Sequence, residues 1–169
     1  MISLGVLLMI VVLGMTGFYI WSQQTYDASE ELTSYVNVND IKTENNWLVF
    51  EPKAQPKGGI ILYPGAKVEP EAYSYYAQGL ADNDYLVIVP KVTLNFALLD
   101  INQADVIMDE FSDITNWYIG GHSLGGVAAA TYAYDNLKDI QGLILLASYP
   151  SSSSDFSKTD LPILSLYAE

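Results

Sequence analysis

The chain has 169 residues, half of them hydrophobic, and 20 acidic residues against seven lysines give a formal net charge of −13 at pH 7. This hydrophobic fraction is enough for one domain with a sizeable core. The acidic balance would repel a phosphate backbone and therefore argues against nucleic-acid binding. The absence of cysteine excludes disulfides, thiolate metal sites and a cysteine nucleophile, and a single histidine excludes a histidine-rich metal site.

The first segment is apolar. Residues 2–21 contain no charged side chain, and a run of this length can span a bilayer as a helix. Tyr19 and Trp21 stand at its C-terminal end, where amphipathic rings suit the headgroup region. A cleaved secretory signal is the alternative, but the run exceeds a usual signal core and no small-x-small cleavage pattern follows it. We therefore predict that residues 1–21 form an uncleaved transmembrane anchor.

Charges around this anchor indicate its orientation. No lysine precedes it, the first lysine after it is Lys42, and Asp27, Glu30 and Glu31 follow it. Because the terminal amine is the only nearby positive charge, the N-terminus is expected inside and the domain outside. The sequence thus predicts a single-pass protein of the cell membrane with an extracytoplasmic domain. Residues 22–34 are polar and acidic and are interpreted as a tether to a domain at residues 35–169.

The remaining chain has the pattern of an α/β fold. Two β-like runs, residues 34–38 and 46–51, predict an antiparallel hairpin at a sheet edge. After Gly59, apolar runs alternate with segments of helical period, which is typical of parallel strands buried on both faces. We expect a doubly wound, mostly parallel sheet with right-handed crossovers, preceded by one transmembrane helix. The strand runs are residues 60–63, 85–89, 117–119, 143–147 and 163–167.

Three helices are expected between these strands: from Pro70 to the turn at residues 83–84, over about 98–111, and from the turn at Ser123 to about residue 136. The residues expected to face the sheet are Tyr73, Tyr76, Ala77 and Leu80 in the first helix, and Ile101, Ala104, Ile107, Met108 and Phe111 in the second. The tyrosines of the first helix and the loop at 93–96 could instead line an acyl pocket, although aromatic residues at helical spacing more often belong to a core.

Gly121, Ser123 and Gly125 form a G-x-S-x-G motif. Alone the motif is a weak signal, since it occurs by chance in roughly one chain in twenty of this length. Here an apolar strand precedes it and a helix of small residues follows, which is the context of a nucleophile elbow. A strained turn would expose the Ser123 hydroxyl, and side chains two residues to either side would collide with the adjoining strand and helix. Ser123 is therefore the candidate catalytic nucleophile.

Two backbone amides are candidates for an oxyanion hole. The helix that begins at Leu124 points its N-terminal amides at the space in front of Ser123, so the Leu124 N–H can stabilise a developing oxyanion. A second donor is expected from the loop after the first long strand, and we choose the Ala66 N–H, with Gly65 giving clearance. An ordinary strand-to-helix turn is the alternative interpretation of that loop.

Residues 63–65, 120–126 and 142–150 together resemble the α/β-hydrolase superfamily, and the most similar branch is the small dienelactone-hydrolase-like group. The resemblance covers roughly residues 46–169. It implies an acyl-enzyme mechanism on a small carboxylic ester or thioester, with no cofactor and no metal. In the family, an acid follows the strand that is here residues 163–167, and a histidine follows the next strand. The resemblance therefore implies a sheet truncated after residues 163–167, with an exposed apolar edge, that lacks both groups.

Ser123 needs a base, and the sequence offers five candidates for the base or the acid, none of them in the position that the family uses. His122 adjoins Ser123, but neighbours on a sharp turn project in different directions, so we interpret it as a packing residue. Asp155, Glu169, Lys67 and Lys91 are possible substitutes for the acid or base, and each is expected to be a solvated surface charge. We expect a hydrolase that is inactive as this truncated chain. The alternative is a non-catalytic, membrane-anchored interaction domain with a relic hydrolase fold.

Overall fold

The computed structural model describes residues 3–36 and 41–167. The first element is an apolar helix, α1 (Leu4–Ser22). The Ser3 hydroxyl caps it by accepting the Val6 N–H at 3.4 Å. Every residue from Ser3 to Trp21 is exposed, and 19 residues rise about 28 Å, close to the thickness of the bilayer hydrocarbon. In the described part of the chain, α1 is the one candidate membrane span by length and composition, tests that an N-terminal signal sequence also passes.

A short antiparallel hairpin forms one edge of the sheet. It pairs β1 (Lys42–Glu44) with β2 (Trp47–Phe50). Asn45 and Asn46 join them with φ of 48° and 70°, the left-handed conformation that a tight two-residue hairpin turn requires. An antiparallel hairpin at the sheet edge is confirmed, but its first strand is β1 and not residues 34–38. The predicted strand is wrong for residues 34–36, and residues 37–38 lie outside the described residues.

Residues 30–34 form a 3₁₀ turn instead of strand. Its last residue, Ser34, donates its hydroxyl to the Glu31 carbonyl at 2.7 Å. Such local bonds between a side chain and the backbone compete with strand pairing. A prediction from the β propensity of the residues does not take them into account.

Five further strands complete a seven-stranded sheet in the order β1-β2-β4-β3-β5-β6-β7. Pairing is antiparallel from β1 to β4 and parallel from β4 to β7. The expected mostly parallel α/β sheet is therefore confirmed. The strands are β3 (Gly58–Tyr63), β4 (Tyr85–Pro90), β5 (Trp117–His122), β6 (Ile140–Leu146) and β7 (Ile163–Leu166).

Three helices cross between the parallel strands: α2 (Ser74–Ala81), α3 (Gln103–Glu110) and α4 (Leu124–Asp135). A 3₁₀ turn over Pro70–Tyr73 precedes α2. The second helix begins later than expected, because residues 97–99 form a separate 3₁₀ turn and the Asp100 carboxylate accepts the Thr93 N–H.

The sheet separates two cores. Side chains alternate along β3, so that Ile61 and Tyr63 face α3 and α4 while Ile60 and Leu62 face α2. The residues expected to face the sheet from α3 are buried or packed against the first core. Tyr73, at the end of the 3₁₀ turn before α2, and Ala77 on α2 are buried. Tyr76 on α2 is exposed, so its assignment to the sheet-facing stripe was wrong.

The face that carries α2 is only partly covered. A largely apolar groove of about 530 Å³ runs beside α2, between its exposed tyrosines Tyr75 and Tyr76 and the side chains of β6 and β7. All four residues of β7 are exposed, so the expected apolar edge is present. The acyl-pocket interpretation of these tyrosines is not supported, because they line this groove on the sheet face.

Candidate active site

The candidate site lies at the carboxyl edge of the parallel strands. Tyr63 at the end of β3 pairs with Gly121 in β5, and His122 pairs with Leu146 at the end of β6. The loops that follow these three strands therefore leave the sheet side by side. This edge is where ligands bind in open α/β sheets.

Ser123 stands alone between β5 and α4. Its backbone has φ 51° and ψ −120°, a left-handed conformation that costs energy for a residue with a side chain, and the residue is exposed. The Ser123 N–H donates to the Leu146 carbonyl at 3.0 Å, and the Ser123 carbonyl accepts the Ser148 hydroxyl at 2.7 Å. Bonds from the β6 side thus fix the backbone of the turn.

Two glycines allow the turn to close. A Cβ on Gly121 would lie 2.3 Å from the Gly125 carbonyl carbon. A Cβ on Gly125 would lie 2.4 Å from the carbonyl oxygens of both Tyr63 and Pro64. Because the obstructing atoms belong to backbone, they cannot turn aside as a side chain would. Gly125 therefore sets how closely α4 approaches the end of β3.

The Leu124 and Ala66 amides lie beside this turn and are available to a ligand. Tyr63 and Gly121 are paired in the sheet. Ala66 lies three residues after Tyr63, and Leu124 lies three residues after Gly121. Within residues 3–36 and 41–167, neither N–H has a hydrogen-bond acceptor. The amides on either side of Ala66 are occupied, Gly65 by the Tyr73 hydroxyl at 2.8 Å and Lys67 by the Asn95 carbonyl at 2.8 Å.

A buried tyrosine holds the loop that contains Ala66. Tyr73 accepts the Gly65 N–H, and its hydroxyl lies 2.9 Å from His122 Nδ1. We assign the Tyr73 proton to this contact, an assignment that leaves Nδ1 as the acceptor and places the proton of the neutral ring on Nε2. A Cβ on Gly65 would lie 2.7 Å from His122 Nδ1, so the three groups are in close packing.

The histidine beside Ser123 therefore has a structural contact. Its ring packs against Tyr73 with centroids 5.9 Å apart. Burial lowers the pKa of His122 from its ordinary value of 6.5. Both facts agree with a packing residue whose Nδ1 accepts a hydrogen bond.

Stability is expected to fall as the pH drops below about 6.5. In that range the unfolded chain protonates His122 while the folded chain resists, so the unfolded state binds more protons and acidification favours it. The contribution of His122 to the free energy of unfolding is therefore fully present above the pKa of the unfolded chain. Urea midpoints measured against pH should fall more steeply for the native chain than for His122→Asn, which retains an acceptor and cannot titrate. Parallel slopes for the two chains would contradict the assignment.

The other candidate acids and bases have contacts elsewhere. The Lys67 ammonium lies 4.2 Å from the centre of the Trp21 ring. Lys91 forms an ion pair with Glu71 at 3.2 Å. Asp155 is exposed, and hydrogen bonds from the Ser157 hydroxyl and from the Ser157 N–H, the latter at 2.9 Å, lower the pKa of its carboxyl. Glu169 lies outside the described residues. Across the described chain, no cluster of acidic and histidine side chains is arranged to hold a metal ion.

The model of one protein family matches residues 59–169, two thirds of the sequence: the alpha/beta hydrolase family. The chain belongs to this family. The match covers β3 to β7 and includes the loops that carry the candidate amides and Ser123.

Solved hydrolase structures share this fold at low identity. A probable hydrolytic enzyme from Pseudomonas aeruginosa superimposes with a TM-score of 0.52 at 19% identity, over 72% of this chain and 44% of that one. A thermostable carboxyl esterase from Bacillus coagulans gives 0.51 at 14%, over 64% and 43%. Est1E from Butyrivibrio proteoclasticus gives 0.52 at 17%, over 65% and 49%. The chain thus spans less than half the length of these alpha/beta hydrolases. No curated protein sequence matches it.

The sequence analysis missed the roles of two residues around the site. It assigned Tyr73 only to the sheet-facing stripe of a helix, and it included Ser148 only within residues 142–150, which resemble the α/β-hydrolase superfamily. The available signal for Tyr73 is general: a buried tyrosine usually finds a partner for its hydroxyl. The identity of that partner depends on the pairing of β3 with β5, which brings Gly65 and His122 together.

Proposed function

We propose that this protein is a serine hydrolase of carboxylic esters or thioesters, of the small dienelactone-hydrolase-like type. The observation that carries the proposal is the exposed Ser123 on a left-handed turn, with the unpaired amides of Leu124 and Ala66 beside it. Family membership supports hydrolysis in general terms. No cofactor is needed for this chemistry.

In the proposed reaction, Ser123 Oγ attacks the carbonyl carbon of the ester and loses its proton to a base. The carbonyl oxygen becomes an oxyanion, which the Leu124 and Ala66 amides stabilise. The C–O or C–S bond then breaks, the leaving group takes the proton from the base, and an acyl-enzyme remains. Water attacks the acyl-enzyme by the same steps in reverse order, which releases the acid and restores the serine hydroxyl.

The base is the missing part of this scheme. The sequence has one histidine, His122, and its Nδ1 is occupied by Tyr73. The scheme therefore needs an acid and a second histidine from outside the 169 residues, and we propose that this chain by itself is inactive. We also propose that α1 anchors the protein in the cell membrane, with the domain outside the cytoplasm.

The test is covalent labelling with a fluorophosphonate, read by intact mass and peptide mapping. The full chain is assayed in detergent as it stands and together with any downstream sequence that its gene encodes. We expect one phosphonyl adduct at Ser123 in the longer form and none in Ser123→Ala. Ser152→Ala is the matched control and should label normally, because it removes an exposed serine hydroxyl from the loop after β6 and leaves the proposed nucleophile and its contacts intact. An adduct on another residue would refute the nucleophile assignment.

A second candidate is a non-catalytic, membrane-anchored interaction domain that retains the fold. It is favoured by the contacts of His122, Lys67 and Lys91, which leave each of them engaged away from Ser123. A folded chain that remains unlabelled in both forms would establish this candidate over the hydrolase.

A further inference from the structure

We infer that the carboxyl edge of the sheet lies against the membrane surface and that the substrate is an acyl ester resident in the bilayer. This inference rests on the proposed function and names its substrate class. It begins from the contacts of α1, which packs its C-terminal end, from Phe18 to Ser22, against the loops of the candidate site.

Aromatic stacking makes the first of these contacts. Phe96, in the loop after β4, stacks on both Phe18 and Trp21, with ring centroids 6.0 and 5.9 Å apart. The Lys67 ammonium lies over the Trp21 ring. Rings and cations at the end of a membrane helix are suited to the headgroup region. The end of α1 and the site loops therefore share one level.

Hydrogen bonds extend this contact to the candidate oxyanion loop. Asn95 donates its side-chain amide to the Ser22 carbonyl at 2.9 Å and accepts the Lys67 N–H through its backbone. Tyr26 pairs with both sides of the same loop, since its N–H donates to the Lys67 carbonyl at 2.6 Å and its carbonyl accepts the Glu69 N–H at 3.0 Å. Lys67 is the residue after Ala66, and consecutive Cα atoms are about 3.8 Å apart. The residue that contacts the helix is thus the immediate neighbour of the proposed oxyanion donor.

Exposed apolar and aromatic side chains also lie in the loops at this edge of the sheet. We call them the interfacial rim: Tyr26, Leu98, Leu99 and Tyr149, which are 68%, 40%, 56% and 77% exposed. All four lie in loops at the carboxyl edge, where α1 ends. Because the chain is strongly acidic, attraction to anionic lipid does not explain such a surface. Apolar and aromatic insertion into a neutral headgroup region does.

The position of the interface defines the substrate. A bilayer lipid carries its ester carbonyls at the boundary between headgroups and acyl chains, the level at which Trp21 and Lys67 are placed. An ester at that level reaches Ser123 while its acyl chain remains in apolar surroundings. A small, water-soluble ester would gain nothing from this arrangement.

Depth-dependent quenching tests the surface. The chain has no cysteine, so one introduced cysteine can carry a fluorophore on the full-length protein in phosphatidylcholine vesicles with a nitroxide on the lipid headgroup. Leu99→Cys and Tyr149→Cys report the interfacial rim. Ser112→Cys is the matched control at the amino edge, about 20 Å away along the strands. We expect the rim fluorescence to fall about two-fold or more and the Ser112 label to be unaffected.

Equal quenching at all three positions, or quenching at Ser112 alone, would overturn the inferred surface. Phe96→Ala supplies a second measurement, because loss of the stacked ring should reduce rim quenching while the buried Trp47 and Trp117 report an intact fold. Undiminished rim quenching in Phe96→Ala would refute the role of the α1 contact.

Chain length of the probe tests the substrate class. Both forms of the chain, the 169 residues alone and with any downstream sequence that the gene encodes, are placed in the same vesicles. In the form that reacts, a hexadecyl fluorophosphonate should label Ser123 at least about tenfold faster than an ethyl fluorophosphonate, since the bilayer concentrates it at the site. Equal rates would overturn the lipid assignment and leave the hydrolase intact. If neither probe reacts while the rim is quenched, the proposed hydrolase fails, the substrate assignment fails with it, and the membrane-facing surface stands.

Discussion

Gly125→Ala is expected to destabilise the protein by about 3 kcal/mol or more, as overpacking against a backbone does. The added methyl group would lie 2.4 Å from two carbonyl oxygens at the end of β3. Relief requires α4 to move away from the sheet, which disturbs a helix whose small residues are almost all buried. The buried Trp47 and Trp117 report unfolding in urea, and the midpoint should fall sharply.

Gly79→Ala is the matched control, since the same change is made in α2 at an exposed position with open space around the new methyl group. There alanine should raise stability by about 0.5–1 kcal/mol through helix propensity. Opposite signs at the two glycines would show that close approach at Gly125, and not glycine content, determines the effect. A small loss at Gly125 would contradict the geometry of the turn.

Tyr73→Phe should slow the labelling of Ser123 about ten- to a hundredfold, in whichever form of the chain reacts. The hydroxyl that accepts the Gly65 N–H and contacts His122 Nδ1 is lost, so the loop with the Ala66 amide is no longer fixed. Two polar groups lose their partner, and stability should fall by about 2 kcal/mol. Labelling rates are measured by intact mass, without denaturant and at a pH near neutrality.

Tyr76→Phe removes the same atom from an exposed tyrosine three residues further along the chain, on α2, and should leave both the labelling rate and the stability unchanged. To separate positioning from stability, labelling is compared at a temperature where both variants are fully folded. A normal rate in folded Tyr73→Phe would show that this hydroxyl only stabilises the fold. A reduced rate at full folding identifies a positioning residue.

Much of the fold follows from the sequence because parallel strands buried on both faces give continuous apolar runs. The five runs after Gly59 all became strands, and the breaks between them became helices or turns. The errors fell where local bonds decide the conformation, as at Ser34, or where a helix lies on an incompletely covered face, as at Tyr76. Hydrophobic periodicity indicates which side chains could be buried, but it does not indicate how far the neighbouring layer extends.

The candidate site divides in the same way. The motif around Ser123 and the choice of Ala66 depend on short segments and on the rule that parallel strands end at one edge. The contacts that organise the site join residues remote in sequence: Tyr73 with His122, and Lys67 with Trp21. Such pairs depend on the three-dimensional register of β3 with β5 and on the direction in which α1 leaves the domain, and neither is encoded in a local pattern.

The strand order has a consequence for the order of folding during synthesis. The central strand β3 lies between β4 and β5, so one of its edges is open until the ribosome has produced two helices and two further strands, the second of which is β5. Contacts between such distant segments form slowly and leave partly folded chains prone to association. We expect α1 to have left the ribosome well before β5 pairs. On the proposal that α1 is a membrane anchor, the nascent domain would complete its sheet beside the bilayer, with its apolar strands in reach of lipid.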